Sequence, residues 1–188
     1  NIETRKKKTP RLNIAKAIQV AGFMLERNAG RLNYTKLIKI LYIADREHYR
    51  KWGKTITGDS YYSMENGPVL SGLYSLIKGN YFDIHMQMSW DLFFEKKGYD
   101  VIFIRKKGRG YWFLSPSEMT LLDEMDRKFK HFSYSDLIRY THDKERFPEV
   151  KWDKANGSSL PISEEDFLIR IKGKRKMKKP VPPDSISQ

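Results

Sequence analysis

The sequence predicts an α+β fold, in the form of a mainly helical single domain with a small antiparallel β-sheet or hairpin. Three observations lead to this class. Residues 13–52 hold two segments in which apolar residues recur at helical spacing, each preceded by an asparagine that can cap a helix. Residues 99–104 have the composition of a strand, and residues 115–118 form a typical helix start. Helices and strands that follow one another without regular βαβ alternation are typical of the α+β class.

The first two helices are predicted from spacing and caps. Apolar residues recur at helical spacing from Ile14 to Leu25, which predicts a helix that Asn13 caps and that ends near residue 28. A second helix is predicted from the cap Asn33 to about residue 52, with Gly53 as its terminator. Apolar residues cover a wide arc of the second helix, so we expect it to be central and to pack against several neighbours.

Glycine and proline residues mark the turns in the segment after the second helix. Residues 55–64 have β character, with a turn at Gly58 and Asp59. The run Asn66-Gly67-Pro68 is the strongest turn signal in the sequence, because Gly67 permits a positive φ and Pro68 fits the first position of a helix. We therefore expect a third helix over residues 69–78.

The second half of the chain is predicted to form a hairpin followed by helices. Strands over residues 99–104 and 111–114 would be joined by a glycine-bearing turn over residues 105–110. The cap Ser115 predicts a helix to about residue 130, and Ser133 with Asp136 predicts another to about residue 142. Ser163 and the three acidic residues after it predict a last short helix, while residues 147–161 are expected to be mostly loop.

Most of the net charge of +13 lies in the two ends of the chain. Residues 1–11 carry five basic side chains against one acidic, residues 172–188 carry six against one, and residues 12–171 carry 25 against 21. The composition divides the chain into a basic N-terminal arm (1–11), one folded domain (12–171) and a disordered basic tail (172–188). The folded part is only mildly basic, which weakens the case for nucleic-acid binding that the total charge suggests.

No catalytic, cofactor or metal site is recognisable in the sequence. Cysteine is absent, which removes disulfides, thiolate ligands and cysteine nucleophiles. The four histidines stand in no metal-ligand spacing, and the motifs of phosphate-binding loops, dinucleotide-binding folds and serine hydrolases are missing. No apolar run approaches the roughly 20 residues of a membrane span. We therefore expect a cytoplasmic protein that is not an enzyme, needs no cofactor and does not enter a membrane.

Asp45 stands among apolar positions of the second helix. The plain interpretation is a buried acid that arginine, tyrosine or backbone donors satisfy. The alternative interpretation is a carboxylate that contacts a partner or substrate. The first is favoured.

A basic turn, formed by Arg105, Lys106, Lys107 and Arg109, has two interpretations. In a winged-helix-like regulator, a hairpin of this kind contacts the DNA backbone, since phosphate contacts need only charge and reach. In the other interpretation, it is a solvated turn that keeps a sheet edge soluble. The second is favoured, because the central helix is too apolar to serve as a recognition helix.

Three motifs follow one another closely in residues 36–74. They are a helical run with Lys-Leu and then Leu-Tyr-Ile-Ala-Asp, an Ile-Thr-Gly-Asp turn, and a Gly-Pro-Val start of a helix. In this order and spacing they resemble the Panacea antitoxin domain, also called SocA-like, although Asn66 replaces the small residue or histidine that usually precedes Gly-Pro. The signature residues that carry the resemblance are Lys36, Leu37, Tyr42, Asp45, Gly58, Asp59, Tyr61, Gly67, Pro68 and Val69.

The resemblance implies an antitoxin of a bacterial or phage-borne toxin–antitoxin pair. Members of such a family neutralise a cognate toxin by direct protein–protein contact, and some resemble adaptors that deliver the toxin to a protease. The partner would then be a protein toxin, encoded by an adjacent gene, and catalysis is not expected. A DNA-binding regulator of its own operon, with weak DNA affinity, is the alternative.

The signature residues are expected to be chiefly structural, since most of them suit a core or a special backbone geometry. The partner surface would then lie in exposed and less patterned parts of the chain. The candidates are the basic turn, the pair Tyr81 and Phe82, and the loop from Phe147 to Trp152.

Overall fold

The computed structural model describes residues 12–105, 110–152 and 159–169, so the arm, the tail and three residues of the basic turn (Lys106, Lys107 and Arg109) lie outside the described residues. The helices are α1 (Ile14–Glu26), α2 (Tyr34–Trp52), α3 (Ser71–Lys78), α4 (Ile84–Asp91), α5 (Pro116–Phe129) and α6 (Tyr134–Thr141), followed by a 3₁₀ helix (Glu164–Leu168). The strands are β1 (Arg31–Asn33), β2 (Tyr61–Met64), β3 (Gly67–Leu70), β4 (Phe94–Lys97), β5 (Asp100–Phe103) and β6 (Leu160–Ile162). The mainly helical α+β class is confirmed.

The helix caps act as the sequence predicts. The Asn13 side chain accepts the N–H of Lys16 at 3.1 Å at the start of α1, and the Asn33 side chain accepts the N–H of Lys36 at 3.1 Å at the start of α2. Gly53 ends α2 with a φ of 71°. The starts of α5 and α6 are likewise capped by serines, and α6 carries a full capping box.

Helix α2 is the central element. It packs against α5, α6, β3 and the 3₁₀ helix, and every residue from 37 to 46 is buried. This buried stretch includes three side chains that are ionised in water, Lys39, Asp45 and Arg46. Because a buried charge is costly unless it is paired or hydrogen-bonded, the environment of α2 has to supply partners for all three.

Two small antiparallel sheets flank this helix. One has the order β1-β5-β4 and packs against α1, and the other has the order β3-β2-β6 and contacts α2 through β3. The register of the second sheet pairs Tyr61 of β2 with Leu70 of β3 on one side and with Ile162 of β6 on the other.

The expected third helix over residues 69–78 is corrected at its start. Strand β3 (Gly67–Leu70) pairs with β2 across a two-residue turn, and α3 begins only at Ser71. Pro68 is therefore not the first residue of a helix. It lies in a strand at the edge of its sheet, where the missing N–H breaks no ladder bond.

The predicted hairpin over residues 99–114 is wrong. Strand β5 pairs with β4 on one side and with β1 on the other, so neither edge is open to residues 111–114, which form no strand. The turn that joins the strands of the actual hairpin is Gly98-Tyr99, between β4 and β5. A wing built from the basic turn therefore lacks its second strand.

Helix α4 and strand β1 are additions that the sequence does not predict. Strand β1 has only three residues, and α4 directs Ile84 and Met88 to solvent while burying Gln87 and Trp90. In the described part of the chain, no helix has both the length and the apolar character that crossing a bilayer demands.

We expect Gly67→Ala to lower the free energy of unfolding by about 3 kcal/mol or more. Gly67 has a φ of 91°, and a Cβ there would lie 2.9 Å from the hydroxyl oxygen of Thr141. The matched control is Gly98→Ala, which has a φ of 60° but no heavy atom within 4 Å of the new Cβ, and should lose only about 1 kcal/mol. Urea denaturation measures both values, and equal losses would contradict the close packing of β3 on α6.

Candidate functional site

Asp45 joins the middle of α2 to the turn that follows the helix. Its carboxylate accepts the N–H groups of Ile56 at 2.8 Å and Thr57 at 3.0 Å, the hydroxyl of Tyr61 at 2.8 Å, and the hydroxyl of Thr57. The side chain is fully buried, with 0% exposure. Burial raises the pKa of Asp45 to about 6, and the four donors oppose that rise because they favour the ionised form. These are donors of the kind expected for a structural acid.

Asp59 joins the same turn to the start of α3. Its carboxylate accepts the N–H groups of Ser60 at 2.7 Å, Gly72 at 2.8 Å and Leu73 at 2.8 Å. The cap residue Leu70 has no side-chain acceptor, so Asp59 satisfies the first turn of α3 from outside the helix. A Cβ at position 72 would lie 2.8 Å from the Asp59 carboxylate, which explains the glycine there.

Lys39 joins α2 to strand β3. Its ammonium donates to the carbonyl oxygen of Pro68 at 2.8 Å, and the residue is only 1% exposed. Burial lowers the pKa of Lys39 to about 7. Sequence reasoning selected Lys36 instead, whose ammonium donates to the carbonyl of Lys130 at 2.9 Å near the surface. The signal that could have found Lys39 is its place as the one charge in the apolar run 37–44.

A second buried ionic cluster ties α2 to the loop after α6. The guanidinium of Arg46 donates to Glu149 at 2.5 Å and to the carbonyl of Arg146 at 2.6 Å, and the hydroxyl of Tyr42 donates to Glu149 at 3.0 Å. Phe147 lies 4.7 Å from the Arg46 guanidinium and is 3% exposed. Phe147 is therefore a core residue of the free chain, and its contact with a partner stays a prediction that this burial disfavours.

The remaining signature residues are also accounted for by the scaffold. Leu37 is buried in the core, Gly58 has a φ of 67° in the turn before Asp59, and Val69 is half-buried in β3. Positive φ at Gly58 is accessible to glycine at little cost.

Several large apolar side chains are exposed, and four of them lie on α4 or directly beside it. We name these four the α4 stripe: Phe82, Ile84, Met88 and Leu92. Ile84, Met88 and Leu92 are spaced by four residues, so they share one face of the helix. Phe82 is 81% exposed, and its ring lies 4.7 Å from that of the half-buried Tyr81.

The other predicted contact residues lie apart in the fold. Arg105 is exposed just after β5, with its guanidinium 6.0 Å from the Phe93 ring. Trp152 is half-buried and lines a cavity together with Val150 and Leu160. Only Tyr81 and Phe82 are thus brought into direct contact among the predicted partner residues that the structure describes.

The titratable groups do not converge on a metal site. In residues 12–105, 110–152 and 159–169, no three histidine, aspartate or glutamate side chains are placed to hold a metal ion. His48 is buried, one ring nitrogen lies 2.6 Å from the carbonyl oxygen of Lys54, and burial lowers its pKa.

The fold and the site define a small α+β domain in which buried ionic groups hold the scaffold together and apolar side chains remain exposed on a separate helix. A family model described as "Antitoxin SocA-like, Panacea domain" matches residues 37–147. The chain belongs to this family, as the three motifs in residues 36–74 predict. Searches among curated proteins and among solved structures find no match.

Asp45→Ala should lower the free energy of unfolding by about 3 kcal/mol or more, because two backbone N–H groups and two hydroxyls lose their acceptor in the interior. The control is Glu95→Ala on the exposed face of β4, with an expected change within about 0.5 kcal/mol. Urea denaturation of both variants decides the matter. A loss at Asp45 as small as that at Glu95 would show that the carboxylate is not a structural acceptor.

Lys39→Met should remove a pH dependence of stability. The pKa of Lys39 is about 7 in the folded chain and 10.5 as its ordinary value, so the unfolded chain binds more protons between these limits. Wild-type stability should therefore rise with pH in this window, relative to Lys39→Met, by on the order of 1.4 kcal/mol per pH unit. Denaturation at pH 7, 8 and 9 gives the difference. A difference that does not change with pH would contradict the burial of the amine.

Proposed function

We propose that the protein is an antitoxin that neutralises a cognate protein toxin by direct binding. The single observation that carries the proposal is the family match over residues 37–147. The toxin is taken to be the product of an adjacent gene, and the encounter to occur in the cytoplasm.

The α4 stripe supports binding to a protein. Solvent-exposed apolar side chains grouped on one helix face are typical of protein–protein contact sites. The stripe includes large side chains, and a partner could bury Phe82 and Met88 completely, which is how the strongest contacts in interfaces arise. An α4 face that is apolar toward solvent has no evident use in the isolated domain.

The buried ionic groups support a role without catalysis. Asp45 and Asp59 accept hydrogen bonds from the backbone at element junctions, and Glu149 is held by Arg46 and Tyr42. Each of these carboxylates serves as an acceptor inside the scaffold. We therefore propose that the protein acts through its surface and is not an enzyme.

Co-expression with the products of adjacent genes tests this function. One of these products should arrest growth when expressed alone, should become harmless with the wild-type chain, and should co-purify with it. The function is rejected if no adjacent product is both toxic and bound.

Substitution of the α4 stripe should abolish neutralisation. Met88→Glu places a charge at the centre of the stripe, where a bound toxin would have to desolvate it, so we expect growth rescue to be lost. The matched control is Tyr134→Glu, since Tyr134 is 50% exposed on α6 and Met88 is 58% exposed on α4. Both variants should keep the wild-type melting temperature. If both variants still rescue growth, the α4 stripe is not part of the toxin interface, but the proposed antitoxin function stands.

A further inference from the structure

A small cavity lies between the first turns of α2, the turn that joins β2 to β3, and α3. Its volume is about 230 Å³. Its apolar and aromatic walls include Tyr34, Ile38, Met64, Val69 and Tyr74, and Lys39 also lines it. We call this space the Lys39 cavity.

Ligand sites for whole small molecules usually measure roughly 300–1,000 Å³, and a cavity of about 150 Å³ holds one benzene ring. The Lys39 cavity therefore suits one side-chain-sized group.

Lys39 has unused hydrogen-bonding capacity beside this cavity. An ammonium carries three N–H donors, and within the described residues its acceptor is the carbonyl oxygen of Pro68. No carboxylate in that part of the chain forms an ion pair with Lys39, although the residue is 1% exposed. A buried amine without a counter-charge, on a residue that lines a cavity, favours an anionic occupant.

The rim of the cavity adds positive charge and aromatic surface. The ammonium of Lys78 lies 4.6 Å from the centre of the Tyr34 ring and 5.3 Å from that of Tyr74, and it donates to the Tyr34 hydroxyl at 3.1 Å. The ammonium of Lys96 lies 5.9 Å from the Tyr34 ring, and the exposed Tyr99 ring lies 6.3 Å from it. Tyrosine-rich surfaces are typical of protein interfaces, so this rim favours a protein as the source of the anion.

We propose that the Lys39 cavity receives a carboxylate on an apolar stem, supplied by the toxin, and that this carboxylate pairs with the Lys39 ammonium. The proposal rests on the toxin-binding function proposed above. Phe82, the first residue of the α4 stripe, follows Lys78 by four residues, so it lies at most about 15 Å from the rim along the chain. One partner surface can therefore cover both.

The charge state of Lys39 agrees with this pairing. Burial lowers its pKa to about 7, because the charged form loses its contact with water. An incoming carboxylate would favour the charged form and form a charge-assisted hydrogen bond. Glu65 also lines the cavity, but its side chain is exposed at the turn between β2 and β3 and forms no ion pair with Lys39 among the described contacts.

A titration with 3-phenylpropanoate and its uncharged amide, 3-phenylpropanamide, tests the pocket without the toxin. Methyl NMR signals of Ile38 and Val69 should shift with the carboxylate, and the amide should bind at least ten times more weakly. Lys39→Met should abolish that difference while keeping the folded spectrum. Equal binding of acid and amide, or no binding of the acid, overturns the proposal.

A second variant protects the test against misfolding. Val69→Phe keeps Lys39 and fills the cavity from β3, so it should block the shift at Ile38. If Lys39→Met fails to fold, the result with Val69→Phe decides: continued binding of 3-phenylpropanoate at Ile38 overturns the proposal.

Binding to the neutralised toxin distinguishes the source of the carboxylate. Lys39→Met and Val69→Phe should each weaken toxin affinity at least ten-fold, while Tyr134→Glu should not. Probe binding combined with unchanged toxin affinity would mean that the pocket takes a free small carboxylate, and the proposal would be overturned. If the wild-type chain neutralises no adjacent product, the proposed function fails separately, and the titration still reports on the pocket.

Discussion

The burial of α2 is the constraint on which the rest of the structure depends. Every residue from 37 to 46 is shielded from water, and three of them carry groups that ionise. Hydrophobic burial stabilises the helix, but each ionic group has to find partners that replace water. Asp45 finds them in the following turn, Lys39 in strand β3, and Arg46 in Glu149 and the loop after α6.

This constraint explains why three separate motifs occur together at fixed spacing. The Asp45 carboxylate fixes the turn that contains Thr57, and the same turn presents Asp59 to the start of α3. Strand β3 then returns beside α2, where the carbonyl of Pro68 meets Lys39. The three motifs thus form one hydrogen-bonded unit of the scaffold. A family signature of this kind identifies the scaffold more directly than it identifies a binding surface.

The sequence predicts those parts of the fold that depend on local chemistry. The caps Asn13, Asn33, Ser115 and Ser133 locate four helices because side-chain capping is decided within a few residues. Strand β1 depends on β5, which lies far along the chain and which a local pattern does not reveal. Pro68 pairs with Ser63 in the neighbouring strand, but Gly-Pro before an apolar run also suits a helix start, so the local pattern is ambiguous there. Helix α4 has no single apolar stripe that would predict it, because Ile84 and Met88 face solvent while Trp90 packs in the core.

In the candidate site too, local chemistry reveals some residues, and tertiary packing decides the others. Asp45 could be recognised as a buried acid, since a charge in an apolar helix has to be satisfied. The sequence does not reveal that Lys39 and Phe147 are buried, because burial on a helix with apolar residues on several sides, or in a loop, is decided by tertiary packing. The sequence does predict Tyr81 and the exposed Phe82 as contact residues, but the extension of this surface along α4 is seen only in the structure.

Amide hydrogen exchange of the chain, alone and bound to the proposed toxin partner, tests the central claim most directly. The account predicts that the toxin slows exchange in residues 82–92 and around the Lys39 cavity, and leaves the turn at residues 55–60 unchanged. Protection confined to α5 and α6, with no change in α4 or at the cavity, would contradict it.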